Sequence, residues 1–280
     1  MAAGMVLQAG VCFAQDNVLN ETGGHWAVGT EMHHFRYEEP GLIEEEGFMY
    51  GVFGQYTYRT QQNEPLHHIR DLISAGHGFN IYTLDARFTF GQIDYDSQGT
   101  GSIDNINDFL TEVRVLAGYD VPVGSSLVTP YFGFGYRYWL DELGGKVSTT
   151  GHFGYDRESQ YFYIPLGVTL AVPMDNGWSV AFNAEYDFFI DGEQKSHLED
   201  VSPALNTLKN DQDDGYGVRG SVRIAKELRD FEFFVEPFVR YWDIDQSEAA
   251  TVTCGGTPCA LGFEPKNNTL ETGVRVGGKF

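Results

Sequence analysis

The sequence predicts an all-β protein folded as one ten-stranded antiparallel barrel, of the kind that crosses a lipid bilayer with its strands. Three observations carry this. Ten segments alternate apolar and polar residues with period two. Tight turns and long polar connections follow one another along most of the chain. The final segment places Leu270, Thr272, Val274, Val276, Gly278 and Phe280 on one face and Glu271, Gly273, Arg275, Gly277 and Lys279 on the other, and it ends on an aromatic residue.

Near the start of the chain, Met5–Ala14 is a short apolar stretch that ends in a small residue before Gln15-Asp16. It reads as the back half of a secretory signal, residues 1–14, cleaved after Ala14. The Lys/Arg region that usually precedes such a stretch is missing, so the start is expected to be truncated. The remainder, 15–280, reads as a single barrel domain. Its alternating segments span 25–37, 48–59, 81–94, 108–121, 126–140, 158–172, 178–190, 215–228, 231–245 and 268–280. The third sets Leu84, Ala86, Phe88 and Phe90 against Asp85, Arg87 and Thr89. The fifth sets Phe132, Phe134, Tyr136 and Tyr138 against Gly133, Gly135 and Arg137. The seventh sets Phe182, Ala184, Tyr186 and Phe188 against Asn183, Glu185 and Asp187. The eighth and ninth put Arg219, Ser221, Arg223, Glu236, Phe238, Arg240 and Trp242 on the less apolar side.

Three connections are tight: 122–125, 173–177 and 226–230. Five are long and polar: 38–47, 95–107, 141–157, 191–214 and 246–267. An even number of strands puts both ends of the chain on one side, expected to be periplasmic, with the long loops outside. The exception is 60–80, where Leu66–Ile73 reads as one or two helical turns. A soluble sandwich would turn the same apolar faces to a core. The signal-like start, the terminal aromatic and the loop asymmetry weigh against it, and a closed barrel removes the edges that ten long strands would expose.

Composition agrees. No apolar run reaches the length of a membrane helix, and a mean hydropathy of -0.29 is what alternating lipid-facing and lumen-facing residues average to. A net charge of -22 argues against nucleic acid as a partner and points to acidic loops. With the apolar faces outward, the lumen receives Glu31, Asp85, Arg87, Glu112, Arg114, Arg137, Glu185, Asp187, Arg219, Arg223, Glu236, Arg240, Glu271 and Arg275, with Lys279 at the end of the last strand. The two signs nearly balance and most of the cations are arginine, the residue suited to bidentate pairing with carboxylates. A filled lumen crossed by ion pairs is expected, without a wide pore.

Cys254 and Cys259 flank Gly-Gly-Thr-Pro, and export makes a local disulfide plausible. A metal site there lacks a third soft ligand. Glu31, His33 and His34 suggest a metal only weakly, since alternation splits the two histidines between faces. No metal or cofactor is expected as a resident group. The acidic runs Glu44–Glu46 and Asp211–Asp214 suit divalent cations bridging lipopolysaccharide phosphates, although solvation alone explains such runs more often.

Over 180–280, Ala184-Glu-Tyr-Asp leads into a charged loop, Asn210-Asp-Gln-Asp-Asp-Gly-Tyr216 opens the eighth segment, and a tight turn follows at 226–230. In this the chain resembles the omptins, the outer-membrane proteases. The resemblance implies an aspartate pair facing an aspartate–histidine pair across the barrel mouth, with one water activated between them. Asp94 and Asp96, and Asp191 and His197, stand at the corresponding places, but no Asp-x-His occurs and His197 lies six residues after Asp191. Phe132-Gly-Phe-Gly-Tyr136, the tyrosine-rich strands and Phe280 also resemble the broad class of small opacity-like and porin-like barrels of proteobacteria. That resemblance implies outer-membrane lipid and lipopolysaccharide as surroundings. It also implies that Phe280 serves as the signal read by the barrel-assembly machinery. The expected function is binding of a surface ligand by the loops. An omptin-like endopeptidase and a narrow solute channel are the alternatives.

Overall fold

The computed structural model describes residues 22–60 and 78–280. The predicted signal segment, with Cys12, and the helical turns predicted at 66–73 lie outside them. The strands are β1 (Gly23–Glu39), β2 (Ile43–Arg59), β3 (Ile81–Ser97), β4 (Gly101–Gly118), β5 (Val121–Val123), β6 (Ser126–Glu142), β7 (Arg157–Pro173), β8 (Trp178–His197), β9 (Thr207–Gln212), β10 (Gly215–Glu227), β11 (Glu232–Ile244), β12 (Ala250–Cys254), β13 (Thr257–Gly262) and β14 (Asn267–Lys279).

Ten of them form a closed antiparallel barrel in the order β1-β2-β3-β4-β6-β7-β8-β10-β11-β14, and β14 returns to β1. β5 is a short hairpin arm on β6, and β9 continues the β8 ladder beyond the end of β10. At the closing seam the Phe280 and Trp26 backbones exchange hydrogen bonds of 2.8 and 3.1 Å, and the Phe280 ring stacks on Phe231.

Alternation decides which way each side chain points. On β6, Phe134 is 65% exposed on the outer wall, while Arg137 is wholly buried inside. Trp26, Tyr50, Phe90, Val115, Leu166, Phe182, Phe188 and Phe233 continue the same outer belt around the ring. A contiguous apolar surface of this extent is not a water-facing one.

The strands run well past this belt, and here the structure corrects the predicted loops. The segments 38–47 and 95–107 are mostly strand. β1 and β2 stay paired up to Glu39↔Ile43, and β3 and β4 up to Ser97↔Gly101. Similarly, β8 carries on to His197 and β9 returns beside it. Above the belt the outward residues become charged, as with Glu44, Glu46, Asp94 and Asp96, so the apolar alternation that marks a strand fades. The backbone ladder persists, because it does not depend on which face is greasy. A strand of 17 residues spans roughly 55 Å at about 3.3 Å per residue, whereas roughly ten tilted residues cross a bilayer core. Much of each long strand therefore stands clear of the belt at the loop end. The last connection, 246–267, contains the β12–β13 hairpin, a second departure from a plain loop.

The interior is filled in tiers. Near the turn end, Ala27, Phe53, Ala225 and Phe234 pack together. Further toward the loops lie Phe35, Tyr37, Met49, Ile93, Leu110 and Trp139 on one side, and Tyr161, Tyr163, Trp242 and Ile244 on the other. Gly135 shows why small inward residues recur: Tyr163 pairs with it across β6 and β7, and its ring lies over the glycine where a Cβ would stand. The displaced volume would also move the Tyr163 hydroxyl from its 2.6 Å hydrogen bond to Glu112. Gly135→Val is therefore expected to destabilise the barrel by about 1–3 kcal/mol or more, the usual range for overpacking. Gly54, which has open space around its Cβ position, should accept valine with little change. The urea midpoints of the two refolded variants provide the comparison.

Candidate functional site

Two charged tiers fill the barrel and differ in their balance. The larger tier holds seven carboxylates and seven arginines, drawn from most of the strands around the ring. Register sets opposite charges side by side: Glu31↔Arg275↔Glu236 across β1, β14 and β11; Arg240↔Glu271 across β11 and β14; Arg219↔Glu185 across β10 and β8. The series continues with Arg87↔Glu112↔Arg137 across β3, β4 and β6, and Asp85↔Arg114 across β3 and β4. Opposite charges directly across a ladder attract, and the narrow lumen lets longer contacts cross it.

Arg87 grips Glu271 with two bonds of 2.7 and 3.0 Å and also donates to Glu112 (2.8 Å) and Glu31 (3.1 Å). Arg219 donates to both oxygens of Glu112, to Asp187 (2.6 Å) and to the Tyr163 hydroxyl. Arg114 joins Glu185 (2.9 Å) to Asp85 (3.2 Å), and Arg223 pairs with Glu236. Arg240 bridges Glu31 and Glu271, Arg275 holds Glu31 at 2.8 Å, and Arg137 reaches Glu271 at 3.5 Å. The guanidinium faces rest on rings: Arg240 on Phe238, Arg223 on Phe234 and Arg275 on Phe53, at 3.9 to 4.7 Å from the ring centres.

His33, which alternation alone did not mark as important, lies buried within this tier, 3.4 Å from Glu31 and 3.8 Å from Glu271. Glu31, His33 and Glu271 bring ligand atoms within 4.8 Å of one another. The donor set does not fit a cation, because Arg87, Arg240 and Arg275 already supply more positive charge than the two carboxylates carry. His34 faces outward, toward Glu46.

The second tier lies nearer the loop end and is lopsided. Glu39, Glu45, Asp108, Asp141 and Glu264 are all buried. Arg157 is the guanidinium among the described residues that reaches them: it donates to Glu39 (2.8 Å), Glu264 (2.6 Å) and Glu45 (3.3 Å), and to the Tyr37 hydroxyl. Asp108 accepts from the Trp139 indole. Asp141, its neighbour across β4 and β6, has neither carboxylate oxygen hydrogen-bonded. The sequence offered no sign of this tier, because most of its members fall in stretches that read as loop.

The four residues carried over from the protease resemblance do not come together. Asp94 and Asp96 are exposed on the outer face of β3, and Asp94 accepts from the Asn105 backbone amide. Asp191 is exposed on β8, with β4, β6 and β7 between the two strands. His197 is held between Glu158 (2.8 Å) and Glu199 (3.2 Å). Partial burial works against the imidazolium, but the hydrogen bonds to these two carboxylates outweigh it and raise the His197 value. An imidazole clamped between two carboxylates is not free to act as a base. Cys254 and Cys259 form a disulfide at the tip of the β12–β13 hairpin. The hairpin docks on the 198–206 segment through Gly255 to Ala204 and Thr253 to Asn206.

A closed ten-stranded antiparallel barrel with an apolar exterior and a charged interior is an outer-membrane-type β-barrel fold. The chain is similar to the crystal structure of the outer membrane protease OmpT from Escherichia coli, at 9% identity and a TM-score of 0.60, over 92% of this chain and 95% of that one. It also aligns with the translocator domain of the autotransporter NalP from Neisseria meningitidis, at 14% identity and a TM-score of 0.42, over 92% and 90% of the two chains. At these identities the likeness is one of fold. No protein-family model matches the sequence, and no curated protein matches it.

The lopsided tier has a consequence for pH. Burial, reinforced by the charges of Glu39 and Glu264 and opposed by Arg157, pushes the Glu45 carboxyl up to about 7 from an ordinary 4.5. Burial likewise raises Asp141, with Glu45 and Asp108 adding to it. A raised carboxyl binds its proton more tightly folded than unfolded. Its stabilisation is complete below about 4.5 and is lost as pH climbs to about 7. Folded fraction against urea, measured from pH 4.5 to 8, should fall across this window, and Glu45→Gln should flatten the fall. A wild-type profile that rises with pH over the same window would contradict the assignment.

Proposed function

We propose that this protein is a sealed outer-membrane barrel whose loop end is a ligand-binding surface, with the chain ends on the periplasmic side. The observation that carries the reading is the balanced tier of seven arginines and seven carboxylates, which fills the lumen across the apolar belt. A solute path would have to break several buried ion pairs, and removing one partner of such a pair costs about 3–5 kcal/mol. The belt supports a lipid setting and the aromatic closure at Phe280 fits recognition by an assembly machinery. The long strands beyond the belt support a raised platform at the surface, next to lipopolysaccharide. The similarity to OmpT supports the barrel shape. The separation of Asp94 and Asp96 from Asp191 and His197 speaks against a protease built on those residues.

Two measurements test this. In planar bilayers the refolded protein should give no stable conductance steps, and sustained large openings would reject the sealed barrel. On intact cells, a membrane-impermeant maleimide should label Gln98→Cys at the β3–β4 tip and leave Asp175→Cys at the β7–β8 turn unlabelled. The reverse pattern would put the loop end on the inner side.

A further inference from the structure

Above the lopsided tier the barrel opens into a cavity of about 340 Å³ between the 41–43, 95–103 and 143–157 segments. Its walls are largely apolar, with Leu42, Ile43, Tyr95, Ile103, Leu143 and Phe153 among them, and Glu39 and Arg157 also line it. We propose that this cavity binds a small organic cation, a primary ammonium head on an apolar body. The proposal rests on reading the loop end as a binding surface, and names the chemistry of its ligand.

Size and lining fit a small molecule, since sites of this kind start at roughly 300 Å³ and combine apolar walls with a few fixed polar groups. The sign of the charge follows from the tier beneath. Arg157 is already engaged by Glu39, Glu45, Glu264 and Tyr37, so an anion entering here would meet surplus carboxylates with no cation free to receive it. Asp141 is only 1% exposed and both its oxygens lack a hydrogen-bond partner. It lies directly across the β6–β7 ladder from Arg157 and two residues before Leu143, so it stands beside the part of the tier that lines the cavity. A buried, unpartnered carboxylate is costly by itself, and a cation bound above it would relieve that cost. A bare metal ion fits less well. The cavity surface is mainly apolar, and the Glu31–His33–Glu271 trio, in the other tier, is the group of three His, Cys, Asp or Glu among the described residues with ligand atoms close enough for one.

The test uses the full-length protein in lipid nanodiscs with three probes of one shape: 2-phenylethylammonium, 3-phenylpropionate and 2-phenylethanol. Titration calorimetry should show saturable binding of the ammonium and much weaker binding of the other two. Asp141→Asn should weaken ammonium binding by about tenfold, the order expected for removing one nearby charge in a partly desolvated site. The same change should raise urea resistance at pH 8, because it removes a repelled carboxylate. A fall in affinity with a gain in stability separates lost recognition from lost folding. Glu39→Gln should weaken binding further, and Ile103→Trp should abolish it by filling the space. Equal binding of the anion or the alcohol, unchanged affinity in Asp141→Asn and Glu39→Gln, or calcium competing the ammonium away would each overturn the proposal. Bilayer conductance and cysteine labelling judge the sealed, surface-exposed barrel separately, whether or not any amine binds.

Discussion

Neutralising charge where water is excluded is the constraint on which the rest of this structure depends. A ten-stranded ring is narrow, and half of every strand must point inward, so long side chains occupy much of its interior. Here those positions carry arginine and carboxylate, so each carboxylate must find a guanidinium at a fixed place on another strand. Register supplies the first partner and the narrow lumen supplies the second. Packing follows from the same demand: the guanidinium planes lie on Phe53, Phe234 and Phe238, and small residues such as Gly135 admit the Tyr163 ring that completes the bonding of Glu112 and Arg219.

The two tiers show what happens when the demand is met and when it is not. In the balanced tier, low dielectric strengthens every pair and burial costs are offset by multiple hydrogen bonds. In the upper tier, among the described residues, one guanidinium reaches three of five carboxylates, and the surplus must be settled by protons or by a cation from outside. Structure needs only the balanced arrangement. The surplus sits at the end that opens toward the loops, where something arriving from solution can reach it.

The belt was legible in the sequence because lipid imposes the simplest pattern: outward Phe132 and Phe134 alternate with inward Gly133 and Gly135, and the inward charges were readable as one set. Legibility stopped where lipid stops. From Glu44 to Glu46 and from Asp94 to Asp96 both faces are polar, so continuing strand reads like loop. The upper tier was hidden for a further reason. Glu39 and Glu45 sit on one hairpin and Asp108, Asp141 and Arg157 face one another across β4, β6 and β7, but these two groups and Glu264 are far apart in the chain, and the ring brings them together. His33 was seen as one of a pair of histidines, and alternation put it on the face of Glu31, but nothing in the sequence told that Glu271 would meet it from the far end of the chain. The β12–β13 hairpin, closed by Cys254 and Cys259, carries no apolar alternation either; its order comes from the disulfide and from contacts with the 198–206 segment.

The seam between β1 and β14 divides the densest part of the balanced tier. Glu31 comes from one edge and Arg275 and Glu271 from the other, while Arg87 and Arg240 reach them from opposite sides. An open sheet with the first and last strands apart would keep Glu271 beside Arg240 and Glu31 on the same side as Arg87, and would lose the pairs that cross the seam, Glu31 with Arg275 and Arg240 and Glu271 with Arg87. Closing the ring therefore completes a tier whose other pairs the neighbouring ladders already supply. A sheet zipped in the wrong register at that seam would set Glu31 out of line with Arg275 and forfeit the cross-seam pairs.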